Sequence, residues 1–307
     1  INIFIESLPE IDASRDSYIK RVTSTLNQYF PPVEGDKVIQ IGTTIQKYGE
    51  RDCYLKHIVT LGTCTDIEGC EVVQCETEAD VLIAWSDFIR RLDPDIITGY
   101  NIFGFDFSYM WHRAEELDII EDFAYLSRIA GQQSQLECKT LASSALGDNN
   151  LSYITMPGRV QMDLLKVIQR DHNLVSYKLD YVAETFINDS ISSIDDKTLK
   201  IKGSINLNDG NFITINYGNG DKYMKNKKFK IESVDYDTDT IKLTESIDNG
   251  LADKKAKWQL AKDDVSPQDI FRLQKGNADD RKIVAVYCVM DCKLCLDIIN
   301  KLDIITN

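Results

Sequence analysis

The chain has 307 residues, 43% of them hydrophobic, enough for one large domain or two modest ones. Its net charge of −14 excludes a basic coat for duplex DNA, and no apolar run reaches the roughly 18 residues a membrane span needs. The eight cysteines are scattered through apolar patterns, which reads as reduced intracellular thiols rather than as the disulfide framework of a secreted protein.

The charge is unevenly spread. Residues 189–261 hold 12 lysines and 12 acidic residues, whereas the remainder, with 23 basic and 37 acidic residues, carries the whole of the −14. An acidic body still admits a DNA substrate where bound divalent cations invert the local potential.

In chain order, residues 1–30 carry a helical pattern entered at Asp12-Ala-Ser14-Arg and ended by Pro31-Pro32. The start has neither an initiator methionine nor a basic stretch, so it reads as a segment of a longer protein and not as a signal peptide. Residues 38–45 and 53–60 predict two strands joined through Tyr48-Gly49, and residues 71–74 predict a third. An amphipathic helix follows over residues 78–92, with Leu82, Trp85, Phe88 and Ile89 on one face. A short buried strand at residues 95–98 then feeds Gly99-Tyr100-Asn101, and Asp106 opens a helical run to residue 117. Strands alternating with helices predict an α/β layer fold.

The texture changes after Asn188. Residues 189–261 show β-branched alternation at 198–201, 212–216, 229–231 and 240–243, broken by Asn208-Asp-Gly210 and Gly218-Asn-Gly-Asp221. This predicts a small β module inserted into the α/β body. Helical pattern returns at Pro267 and runs on through residues 278–302.

Two short stretches carry the chemistry. Asp106 stands at a strand-to-helix junction, where a carboxylate can reach a metal above a sheet edge or simply cap the helix. Beside it, the Asn101 amide can bond a neighbouring strand or a terminal nucleotide, and Phe105 can wedge against a base. Tyr287 and Asp291 are four apart in a helix and therefore share a face. They read either as a water-holding hydroxyl beside a metal-bound carboxylate or as a surface Tyr–Asp pair.

Tyr100-Asn-Ile-Phe-Gly-Phe-Asp-Phe-Ser-Tyr109 resembles the second exonuclease motif of family B DNA polymerases, and Tyr287-Cys-Val-Met-Asp291 resembles the third. Gly158-Arg-Val-Gln-Met-Asp163-Leu and Ser176-Tyr-Lys-Leu-Asp-Tyr-Val-Ala183 look like two further stretches of the same domain, in the right order. The inserted segment, Val38-Ile-Gln-Ile-Gly-Thr-Thr and the run from Ala261 to Lys275 look most like polymerases of large eukaryotic DNA viruses.

The resemblance implies a ribonuclease-H-like mixed sheet flanked by helices. It places a 3′→5′ proofreading exonuclease in residues 1–188 and 262–307, with 189–261 as the insertion. It implies two divalent cations, Mg²⁺ or Mn²⁺, with Asp106 and Asp291 among the metal ligands and Tyr287 orienting the water. Asn101, Phe105 and Ser176 would contact the 3′ end of single-stranded DNA. The expected partners are that strand and the palm domain of the parent polymerase, in the host nucleus or a cytoplasmic viral factory, with no membrane.

The first motif of the family, Asp-x-Glu on the first strand, has no good match. Asp66-Ile-Glu68 has the right letters but follows the second strand, and Phe4-Ile-Glu6 lacks the aspartate. The first strand is therefore expected upstream of Ile1. With half its ligands elsewhere, the chain could also serve as a nuclease-like module that binds single-stranded DNA or scaffolds the polymerase without cutting.

Two lesser signals remain. Cys288, Cys292 and Cys295 share one helix and, with no fourth ligand, read as packing thiols. Lys225-Asn-Lys-Lys-Phe-Lys230 reads as a lysine-protected hairpin edge, or as a contact for single-stranded DNA.

Overall fold

A computed structural model describes residues 35–306 apart from 51, 144–146, 203–206 and 262–264, together with residues 22 and 24. The chain forms two compact units, Ile1–Lys37 and Val38–Asn307. The first lies almost wholly outside the described residues, and with it the expected helix over 1–30 and Phe4-Ile-Glu6.

The second unit is a mixed α/β structure. Strand β1 (Gln40–Ile45) pairs antiparallel with β2 (Leu55–Leu61), in register from Gln40↔Thr60 to Ile45↔Leu55. Strand β3 (Glu71–Cys75) runs parallel to β2. Helix α1 (Glu78–Leu92) starts at a Thr77/Asp80 capping box, the reciprocal bonding that satisfies orphan amides at a helix start. It buries Val81, Leu82, Trp85, Phe88 and Ile89, the stripe expected from the sequence.

Strand β4 (Ile96–Gly99) pairs in parallel with β7 (Val160–Asp163) as a separate two-stranded ribbon. The expected burial of this strand is not observed. Ile96 is exposed and the other three residues are half-buried, because β4 has a single strand neighbour among the described residues. Between β4 and β7 lie α2 (Asp106–Glu116), α3 (Ile120–Phe123) and the hairpin β5 (Leu136–Ser143)–β6 (Gly147–Ile154). The core here joins the faces of α1, α2 and α3 with Val59 of β2 and Ile154 of β6.

One ion pair is buried inside this layer. The Arg113 guanidinium donates to both carboxylate oxygens of Glu78, at 2.8 and 2.6 Å, and also to Glu116. Glu78 Oε1 accepts the Val38 amide at 2.8 Å as well. With both carboxylate oxygens hydrogen-bonded, the two charges tie α1, α2 and the approach to β1 together.

Helices α4 (Leu164–Asp171) and α5 (Leu179–Phe186) lead into the insertion. There, β8 (Asn188–Asp195), β9 (Thr198–Ile201), β10 (Phe212–Asn216), β11 (Phe229–Asp235), β12 (Thr240–Leu243) and β13 (Lys257–Ala261) close into a six-stranded antiparallel barrel. Alternate side chains fill it, among them Leu199, Ile201, Ile213, Ile215, Phe229, Ile231, Ile241, Leu243 and Trp258. This core runs on without a break into Leu164, Ile168, Val182, Ala183 and, on the last helix, Leu294 and Ile298. The barrel is therefore fused to the helices rather than tethered beside them.

Helix α6 (Pro267–Gln274) precedes α7 (Ala278–Leu302), which opens at an Asn277/Asp280 capping box. Helix α7 lies against β1 so closely that a Cβ on Gly42 would come within 2.9 Å of Cys288 Sγ and 3.1 Å of Cys292 Sγ. Only glycine permits that approach.

Candidate active site at the β4–α2 loop and helix α7

The β4–α2 loop is set by backbone constraints. Asn101 adopts a left-handed conformation, φ 64°, and its carbonyl accepts the amides of Gly104 and Phe105, each at 3.0 Å. A Cβ on Gly104 would lie 2.2 Å from Asn101 Oδ1, so glycine is required for the Asn101 side chain to stay in place. The loop is held from below by Asp163, at the end of β7. Its carboxylate accepts Asn101 N–H at 2.9 Å, Phe103 N–H at 3.0 Å and, as the cap of α4, Leu165 N–H at 3.0 Å. Burial nevertheless raises the Asp163 pKa, because those three amides offset only part of the desolvation.

Phe105 occupies the cap position of α2 without any side-chain cap bond, and Asp106 is the first helical residue. Asp106 thus stands one residue inside the cap position, as an acidic residue of the first turn. Water reaches the Asp106 side chain, yet protein crowds around it, and the desolvation pushes its pKa up to about 6. Repulsion from Asp163 acts in the same direction. Phe105 is 55% exposed and stacks on Tyr109 at 5.1 Å, giving a flat aromatic surface beside the carboxylate.

Tyr287 and Asp291 lie one turn apart on α7, and both are half-buried rather than fully solvated. Asp291 and Asp106 act on the same thiols. Both oppose ionisation of Cys288 and Cys295, and Asp163 adds to the effect on Cys295, which burial and this negative field push up to about 12. Cys288 itself is lowered, first by the thiol of Cys292 beside it. All eight cysteines are free.

Ser176 reaches the neighbourhood through two tyrosines. Tyr177 Oη donates to the His172 carbonyl at 2.8 Å and accepts the Leu174 amide, which pins the loop before α5. Tyr100 Oη donates to the Tyr177 carbonyl at 2.5 Å, joining that loop to the segment leading into Asn101. The Ser176 hydroxyl accepts the Lys178 amide at 3.4 Å. Asp66 and Glu68 sit exposed in the β2–β3 turn before Gly69, φ 67°.

Two residues that position this site, Asp163 and Tyr177, lie in the two further family-like stretches but have no role assigned from the sequence. Asp163 had a legible signal, an aspartate between a strand pattern and the apolar run Leu164-Leu165. Tyr177 had none, since its partners are carbonyls and amides of its own loop. Among the described residues, no three of the His, Cys, Asp and Glu side chains are arranged to hold a metal ion.

Residues 19–182 match the model of the DNA polymerase family B exonuclease domain. The chain belongs to that family. Its relatives include the DNA polymerase of Pyramimonas orientalis virus, 43% identical over 97% of this chain and 24% of that protein. The DNA polymerase of Phaeocystis pouchetii virus is 31% identical over 99% of this chain and 32% of its own length. The DNA polymerase delta catalytic subunit of Dictyostelium discoideum is 31% identical over 91% of this chain and 19% of its own. The chain thus spans about a fifth to a third of the relatives it matches.

Proposed function

We propose that this chain is the 3′→5′ proofreading exonuclease of a viral family B DNA polymerase, with a ribonuclease-H-like sheet formed by residues 1–188 and 262–307. The observation that carries the reading is that two carboxylates from distant motifs, Asp106 on α2 and Asp291 on α7, both oppose ionisation of Cys288 and Cys295. An exposed Phe105–Tyr109 stack beside Asp106 supports it. The substrate is the 3′ end of single-stranded DNA, and the parent chain would supply the palm domain and replicate viral DNA inside the host cell.

The donor set fits a hard cation. Asp106 and Asp291 offer only oxygen, and the nearby Asp163 carboxylate adds to the negative potential at Asp106. These two would hold Mg²⁺ or Mn²⁺, which supplies electrostatic stabilisation to the phosphodiester under attack. Two carboxylates from described residues are too few for a full two-metal site, which the Asp-x-Glu of the family's first motif would complete.

The chain's own groups then divide the work. The Phe105 ring stacks on the terminal base, and the Asn101 amide and Ser176 hydroxyl hold the terminal nucleotide. Tyr287, one turn from Asp291, orients the attacking water through its hydroxyl. Asp163 does not touch substrate. It fixes the loop that carries Asn101 and Phe105.

Mn²⁺-dependent release of mononucleotides from a single strand tests the assignment, in this chain and in the full parent polymerase. Asp106→Ala and Asp291→Ala are each expected to abolish it, and Tyr287→Phe to reduce it about 10- to 100-fold. Cleavage retained in either alanine variant contradicts the reading, as does an inert parent polymerase.

A further inference from the structure

The barrel carries the most basic stretch of an acidic chain. Residues 222–230 hold five lysines and no acidic residue. Lysines on an exposed strand often serve only to block edge-to-edge pairing. That explanation fails here, because β10 and β11 belong to a closed barrel in which every strand has two neighbours and no edge needs protecting.

The arrangement displays charge outward. Phe229 points into the barrel, so alternation turns Lys230 to the outside. Lys227 lies over the Phe229 ring and pairs with Glu245. Lys222, Lys225 and Lys230 are exposed and have no acidic partner among the described residues. Asp221, the nearest carboxylate in sequence, is taken up by the Asn219 side chain.

The backbone holding them is strained. Met224, Lys225 and Asn226 all adopt left-handed conformations, at φ 46°, 57° and 68°. Such conformations are costly for Met224 and Lys225, though Asn226 tolerates them, and such strain gathers at ligand-binding segments. The turn presents Met224, 55% exposed, between Lys222 and Lys225.

We propose that the loop between β10 and β11 is a second contact surface for single-stranded DNA. Lys222, Lys225 and Lys230 grip the phosphate backbone, and Met224 meets an unpaired base. Charge complementarity selects a nucleic acid, and the apolar group at the tip selects a strand with open bases over a duplex, which offers only phosphates there. The choice of DNA rests on the nuclease reading above.

The test measures binding without cleavage. A fluorescent 20-nucleotide oligothymidylate is titrated with the whole chain in EDTA, following anisotropy across a salt series. Replacing Lys222, Lys225 and Lys230 together by alanine is expected to flatten the log K against log salt slope by about 2, at roughly 0.7 per lost contact. The triple arginine variant keeps the slope. Alanine at Lys200, Lys242 and Lys257, elsewhere on the barrel, leaves it within error. An unchanged slope in the first variant, an equal loss in the control, tighter binding of a 20-base-pair duplex, or no binding at low salt overturns the proposal. Loss of cleavage in Asp106→Ala with an unaltered loop response leaves the nuclease standing without this surface. A flattened slope in a parent polymerase that never cuts leaves the surface without the nuclease.

Discussion

At the scale of single residues the candidate site is dominated by the desolvation of its carboxylates. Asp106 is raised from the ordinary 3.8 to about 6, first by desolvation and then by Asp163, which is itself raised by burial. Its neutral form is thus favoured in the folded, metal-free chain. That contribution is complete below about pH 4 and is lost as pH rises through about 6. Without metal, the urea midpoint should fall between about pH 4 and 7, and Asp106→Asn should make that fall shallower; an equal fall in the variant contradicts the shift. Asp163 makes a different prediction. An asparagine there would turn an N–H towards one of three backbone amides, costing about 2 kcal/mol in urea unfolding. Because Asp163 positions the loop and does not touch substrate, KM for single-stranded DNA should rise more than kcat falls.

At the scale of elements, sequence pattern and structure agree where one periodicity settles the outcome. Helix α1 begins and ends where the residue 78–92 stripe does, and α7 covers residues 278–302 as read. The β5–β6 hairpin was not legible. Its strand Leu136-Glu-Cys-Lys-Thr is largely polar, and its tie to the site comes from a distant bond, Ser152 N–H to the Phe103 carbonyl at 2.8 Å. The Glu78–Arg113 pair was equally hidden, since nothing local links residues 35 apart. Glu78→Gln should cost about 3 kcal/mol, because it strips a buried guanidinium of its main counter-charge. Replacing Glu78 and Arg113 together by leucine should cost much less; similar losses in both would show that packing, not charge, holds the helices. In the β4–α2 loop, Gly104→Ala forces Asn101 out of place and should lower kcat/KM about tenfold while the chain stays folded by circular dichroism.

At the scale of the molecule, alternation revealed a β-rich insertion but not its closure. Each strand shows its own face, yet β8 meets both β9 and β13, the latter about 70 residues on, and no single-strand pattern encodes such a pairing. Asp106 and Asp291 were legible as candidates for a related reason in reverse: each sits in a short family-like string, and both oppose ionisation of the same thiols, Cys288 and Cys295. The central claim is that this arrangement removes nucleotides from a 3′ end. It is tested most directly on a 5′-labelled single strand incubated with Mn²⁺ and the parent polymerase bearing this chain, followed on a sequencing gel. The account predicts a ladder shortening one nucleotide at a time from the 3′ end, lost in Asp106→Ala and Asp291→Ala. Immediate release of the label as a mononucleotide, scattered internal cuts, or an unchanged ladder in either variant would contradict it.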